Sequence, residues 1–187
     1  QWDQMSQRER HLQRFDIAQV YVDTARKYEH SAIFFHGPGG WKDSSETVRT
    51  LELIREISGM DYFLMLHGDA TYGVPSGTGM MDFAGQIADD PQTVKDNAER
   101  MVDGALENGE YWRKAGVLDG FALCSDYCLN DAPFLSPRMF DEFVTPYLAR
   151  LTAGYREMGF YIIKHTDGNI MPILDSLVST KPHALHS

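Results

Sequence analysis

Apolar positions along the chain follow two alternating patterns. Short, continuous apolar runs have the length of strands, and longer stretches with apolar residues three and four apart read as amphipathic helices. Over residues 4–28, Leu12, Phe15, Ile17, Ala18, Val20, Tyr21, Val22 and Ala25 fall near helical spacing, with charge between them. Residues 32–35 form a buried strand that stops at His36-Gly37-Pro38-Gly39-Gly40. Ser44 or Ser45 is expected to cap a helix reaching about Ser58, with Leu51, Ile54 and Ile57 on one face and Gly59 ending it.

The same alternation continues. Residues 62–66 are a strand ending at His67-Gly68-Asp69, followed by a long loop with Gly73, Pro75, Gly77 and Gly79. Asp90-Pro91 reads as a cap with proline at the first helical position, opening a helix to about Lys114. Residues 118–123 are a strand, 124–134 a loop, and Ser136-Pro137 starts a helix to about Met158 that Pro146 should kink or split. Residues 161–163 are a strand closing at His165-Thr166-Asp167-Gly168-Asn169. A helix over 170–180 and a final strand over 183–186 complete the pattern.

Five apolar strands alternating with helices predict a parallel α/β sheet. No glycine-rich dinucleotide fingerprint opens a helix after the first strand, which disfavours the nucleotide-binding open sheet. His36 to Gly40 is glycine-rich but lacks the Lys-Ser/Thr of a phosphate loop. That open sheet competes with a (β/α)8 TIM barrel, which takes about 250 residues. As a barrel, a chain of 187 residues with about five of the eight strands is partial. It reads as one domain over residues 1–187, truncated at both ends. Unpaired edges of such a piece lead us to expect self-association into a homo-oligomer.

Composition narrows the partners. Apolar residues are 43% and charged residues 24%, so the chain is globular. With 17 basic and 27 acidic residues the net charge is −10, which argues against a nucleic-acid partner. No apolar run approaches the roughly 18 residues of a spanning helix, so no membrane role is expected. Cys124 and Cys128 are spaced by three residues, unlike a redox or zinc-knuckle pair, and read as buried apolar residues in a reducing, cytoplasmic setting.

In a parallel barrel the C-terminal strand ends open on one face, where active sites lie. Here they carry His36, His67 with Asp69, Asp126, His165 with Asp167, and His186. Histidine serves as acid, base or metal ligand near neutral pH, and adjacent carboxylates orient it or share the metal. His165, Asp126 and His67 are the candidate catalytic residues. His36, Asp69, Tyr127, Asn169 and His186 are candidates for contact with a small-molecule substrate, and His165 with Asp167 for binding a metal. Asn169 can also cap the next helix. Lys42, Arg138 and Arg150 could meet a carboxylated ligand, though solvated surface charge is their default role. The account depends on His67, Asp126 and His165 converging on one mouth.

The segment Ala132-Pro133-Phe134-Leu135-Ser136-Pro137-Arg138-Met139-Phe140, then Phe143 and Pro146-Tyr147-Leu148, resembles the pattern of the uroporphyrinogen decarboxylase superfamily. So does Lys164-His165-Thr166-Asp167-Gly168-Asn169, followed after a helix by Ala184-Leu185-His186. The resemblance is good over the last third and looser over residues 62–83. It implies a (β/α)8 barrel and one of two chemistries. One is cofactor-free decarboxylation of uroporphyrinogen in porphyrin and haem synthesis. The other is methyl transfer linked to a corrinoid carried on a partner protein, often assisted by zinc. The decarboxylases' Arg-rich N-terminal segment is not visible here. The zinc methyltransferases carry His-x-Cys-Gly-Asn where this chain has His165 to Asn169, so Asp167 stands at the Cys position. That exchange implies a nitrogen–oxygen site in place of a thiolate one. Methyl transfer is therefore the expected activity, with decarboxylation as the alternative. A third reading is a non-catalytic barrel that binds a ligand or corrinoid partner.

Overall fold

The computed structural model describes residues 2–38, 41 and 43–187. Gly39, Gly40 and Lys42, which carry part of the glycine-rich loop and one candidate anion-binding cation, lie outside the described residues. Among the described residues, strands and helices alternate as expected from the apolar pattern. The chain divides into two compact units. The first comprises Gln1–Leu66 with Trp112–Gly120, and the second His67–Tyr111 with Phe121–Ser187.

In the first unit, a 3-10 turn at Trp2–Gln4 precedes α1 (Gln7–Lys27). Ser6 caps α1 reciprocally with Glu9: the Ser6 hydroxyl accepts from Glu9 N, and the Glu9 carboxylate accepts from Ser6 N. Strand β1 (Ala32–Phe34) pairs in parallel with β2 (Phe63–His67), Ile33 opposite Leu64. Helix α2 (Ser44–Ser58) is capped by Asp43, whose carboxylate accepts from Ser45 N at 2.8 Å. The cap is thus one residue earlier than the serines expected, because a carboxylate is an equally good acceptor for the free amides of a first turn. Ala18, Val22, Leu51 and Ile54 are fully buried where α1 packs on α2. Asp119 accepts from Arg55 at 2.5 Å and from Leu64 N at 2.6 Å, which satisfies the start of β2.

In the second unit the helices are α3 (Gly79–Asp89), α4 (Pro91–Ala115, ending beyond the unit), α5 (Pro137–Phe143), α6 (Thr145–Glu157) and α7 (Leu174–Ser179). The strands β3 (Gly120–Cys124), β4 (Tyr161–His165) and β5 (Ala184–His186) follow one another in space, with β4 and β5 parallel. Helix α3 replaces the end of the expected long loop. Its apolar contacts are few, Phe83 and Ile87 alone being buried, and Gly79 and Gly85 dilute its propensity. Asp90 caps α4 as expected, accepting from Thr93 N. Pro146 splits the next helix: α5 ends at Phe143, and Val144 (φ −126°) starts afresh two residues before the proline. The predicted helix at 170–180 begins as a 3-10 turn, Met171–Ile173, with Asn169 Oδ1 accepting from Met171 N. Phe121, Tyr155 and Phe160 form an aromatic cluster under β3, with ring centres 4.3 and 4.8 Å from Phe121.

Candidate functional site

Strand alternation builds the site in the second unit. Successive side chains of a strand point to opposite faces. Along β4, Ile162 and Lys164 are buried while His165 is half-exposed at the strand end. The alternation continues into the loop, with Thr166 buried and Asp167 exposed. After β3 it repeats: Asp126 is exposed and Tyr127 buried. Asp126, His165 and Asp167 each offer one ligand atom, and those atoms lie within 4.8 Å of one another. Asp126 Oδ1 accepts from Asp167 N at 3.0 Å, which fixes the two loops to each other. His165 Nε2 lies 3.6 Å from Asp167 Oδ1.

His186 joins this group through its ring. His165 Nδ1 and His186 Nδ1 are 2.9 Å apart, so one of the two nitrogens carries the shared proton. When His165 donates it, the lone pair of its Nε2 is left facing the carboxylates. Metal-bound histidines commonly donate their other ring N–H in this way. One imidazole and two carboxylates make a nitrogen–oxygen donor set that zinc and other divalent ions accept. The residues present therefore fit a metal. Neither cysteine belongs to the cluster. Cys128 is buried and Cys124 half-buried, and burial pushes both thiols above their ordinary range.

Several candidates stand elsewhere. His67 is exposed and its Nε2–H donates to Cys124 O at 3.2 Å, but it is not one of the three clustered groups. His36 belongs to the first unit, where the Tyr21 hydroxyl accepts from His36 N and donates to His36 O. Asn169 donates to Asp131 O at 2.9 Å and caps the 3-10 turn, so its amide is committed to the loop. Arg138 is exposed, and Arg150 is paired with Glu99 and Asp103.

Asp69 and Tyr127, expected to contact the substrate, do not lie at the surface. The Asp69 side chain is 1% exposed and Tyr127 is 3% exposed, because both belong to a buried polar layer beneath the strand ends. At its centre is Lys164, which the sequence reading did not single out. Its ammonium donates to Asp69 Oδ2 at 2.8 Å, Leu123 O at 3.0 Å and Ser125 O at 3.0 Å, and it sits 4.2 Å from the centre of the Tyr127 ring. Asp69 Oδ1 accepts from Thr71 N and the Thr71 hydroxyl, and that hydroxyl meets Tyr127 OH at 2.6 Å. Burial lowers the Lys164 pKa and the Asp69 charge opposes the shift, while burial holds the Tyr127 phenol well above its usual value. The available signal was a lysine in phase with Ile162 inside an apolar strand. A cation at such a position needs a buried partner.

Gly168 closes the site. Its φ is +89°, and a Cβ there would stand 2.6 Å from Leu129 O and 2.9 Å from the Cys128 Cβ. Only glycine lets the β4 loop approach the β3 loop this closely. The family model described as "Uroporphyrinogen decarboxylase (URO-D)" matches residues 70–187, more than half of the chain and all of these loops. The chain belongs to the uroporphyrinogen decarboxylase family. Among solved structures, a methyltransferase from Methanosarcina mazei superposes with a TM-score of 0.60 at 16% identity, over 90% of this chain and 60% of that one. This chain thus spans about 60% of the length of that neighbour. No curated protein sequence matches the chain. Together the family and the neighbour establish the α/β fold as part of a (β/α)8 barrel. Among the described residues, no helix is long and apolar enough to cross a membrane.

Proposed function

We propose that this member of the uroporphyrinogen decarboxylase family serves methyl transfer linked to a corrinoid protein, with Asp126, His165 and Asp167 holding a zinc ion. The convergence of these three groups carries the reading. The superposed structure is itself called a methyltransferase, which lends support at the level of the superfamily. A zinc ion held there would supply Lewis-acid activation of the methyl acceptor. The chain's own residues do the rest. His186 Nδ1, by accepting a hydrogen bond from His165 Nδ1–H, would hold His165 in the tautomer whose Nε2 lone pair is free for the metal. Asp126 orients the Asp167 loop by accepting from its amide. The two carboxylates favour positive charge at the exposed strand ends.

The family's own description favours a second reading, porphyrinogen decarboxylation without metal. A substrate carrying many carboxylates needs cations to receive them. At these strand ends the clustered groups are two carboxylates and one imidazole, and the Lys164 ammonium is buried with all three protons engaged. Methyl transfer is therefore preferred. The two readings separate in one experiment on the intact protein. Demethylation of a methylcorrinoid protein by a thiol, and methylation of the reduced Co(I) corrinoid protein by a methoxylated compound, are followed by absorbance, alongside uroporphyrinogen turnover in the presence of a chelator. Methyl transfer that falls at least about 100-fold in His165→Ala supports the proposal. Turnover of uroporphyrinogen with chelator present, and no methyl transfer, overturns it.

A further inference from the structure

The Lys164 ammonium bonds to Asp69, Leu123 O and Ser125 O rather than to the metal-fitting trio, yet each member of the trio has a backbone neighbour in the layer that Lys164 organises. Ser125, whose carbonyl accepts from the ammonium, immediately precedes Asp126. Lys164 itself precedes His165. Tyr127 follows Asp126, and its amide donates to the Thr166 hydroxyl at 3.0 Å, where Thr166 separates His165 from Asp167. Asp69, 95 positions away from Lys164, completes the layer through Thr71 and the Tyr127 hydroxyl. An ammonium has three donors directed at fixed angles, and here two of them grip the end of β3 from within β4. The distance between those two strand ends sets the separation of Asp126 from His165.

We infer that Lys164 is a positioning residue, whose buried ammonium sets the spacing of Asp126, His165 and Asp167 from beneath. The inference rests on the metal-holding reading above for its purpose, but its geometric content is independent of it. A lysine that only neutralised Asp69 would be replaceable, together with Asp69, by an apolar pair of similar volume. A lysine that spaces the site would not be.

The experiment compares the intact protein with Lys164→Met, the double variant Lys164→Met/Asp69→Leu, and Lys164→Arg. Three quantities are read: the unfolding midpoint, the affinity for Zn2+ by competition titration, and, in metal-free protein, the 15N–1H shift of the Asp167 amide. That amide reports the bond to Asp126. Lys164→Met is expected to lower the midpoint, weaken Zn2+ binding about 10- to 100-fold, as loss of an outer support does, and move the Asp167 resonance. The double variant is expected to regain part of the midpoint, Thr71 having lost its acceptor, but neither the affinity nor the resonance position. Recovery of all three in the double variant overturns the inference, and so does a Lys164→Met protein with unchanged affinity and Asp167 shift. Should the Met variants fail to fold, Lys164→Arg keeps the charge but misplaces its donors, and the same two site readouts decide. If the unaltered protein binds no Zn2+, the metal-holding reading fails alone. The Asp167 resonance then tests the positioning role, and an unmoved resonance rejects it.

Discussion

Among the described residues, each unit buries one cation against a carboxylate, and the two cases differ. In the first unit Arg14 on α1 donates to Glu46 on α2 at 2.5 Å, with side chains 6% and 10% exposed. The pair joins two helices, Glu46 has a second partner in Arg49, and Arg14 Nε has no hydrogen-bond partner among the described residues. In the second unit Lys164 uses every donor, and its partners are the backbone and side chains beneath the candidate site. The first arrangement fastens packed helices, where small displacements cost little. The second fixes distances between strand ends, where chemistry is sensitive to displacements of an ångström.

The comparison can be broken most directly by removing both cations. Lys164→Met leaves the buried Asp69 charge without its counterion, held only by the two Thr71 bonds to Oδ1, which costs about 3–5 kcal/mol. Arg14→Met leaves Glu46 with Arg49 and about 1–3 kcal/mol is lost, since the group retains one hydrogen bond. Denaturant unfolding of both variants checks the order. Equal losses would erase the distinction drawn between the two pairs. Comparable to the Arg14 loss is Gly168→Ala, where positive φ and a contact of 2.6 Å to Leu129 O act together. Strain of about 1–3 kcal/mol is expected, with weakened metal binding because the β3 and β4 loops must separate.

The smallest effect concerns pH. His183 Nδ1 accepts from Ile162 N at 2.9 Å, so the folded chain prefers the neutral ring, and burial with Arg156 nearby lowers its pKa from 6.5. The unfolded chain then binds the proton more readily. This contribution is present above pH 6.5 and is lost as pH falls through the lowered folded value. His183→Ala should flatten the loss of stability between pH 7 and pH 5, measured by unfolding at each pH. An unchanged slope would assign the dependence to other groups.

Much of this was legible in the sequence. The strand and helix alternation followed from apolar spacing, and Asp126, His165 and Asp167 were legible because polar residues closed apolar strands. Helix α3 was not, since glycines and an exposed Met81 mask a short amphipathic segment. The buried layer was half-visible: Lys164 interrupts an apolar strand, but its partner Asp69 lies 95 residues away, and only the strand arrangement brings them together. Asp69 looked like a rim residue because position after a strand marks a loop but does not say which way a side chain turns. His67 ends its strand as His165 does, yet bonds to Cys124 O outside the cluster.

The central claim is that Asp126, His165 and Asp167 act together as one ion-binding group. Calorimetric titration of Zn2+ into the intact, metal-stripped protein tests it, with Asp126→Asn, His165→Ala and Asp167→Asn as companions. One ion per chain, with affinity falling at least about tenfold in each variant while the unfolding midpoint stays nearly constant, is the predicted result. Zn2+ binding that survives all three substitutions, or its absence from the unaltered protein, would contradict the account.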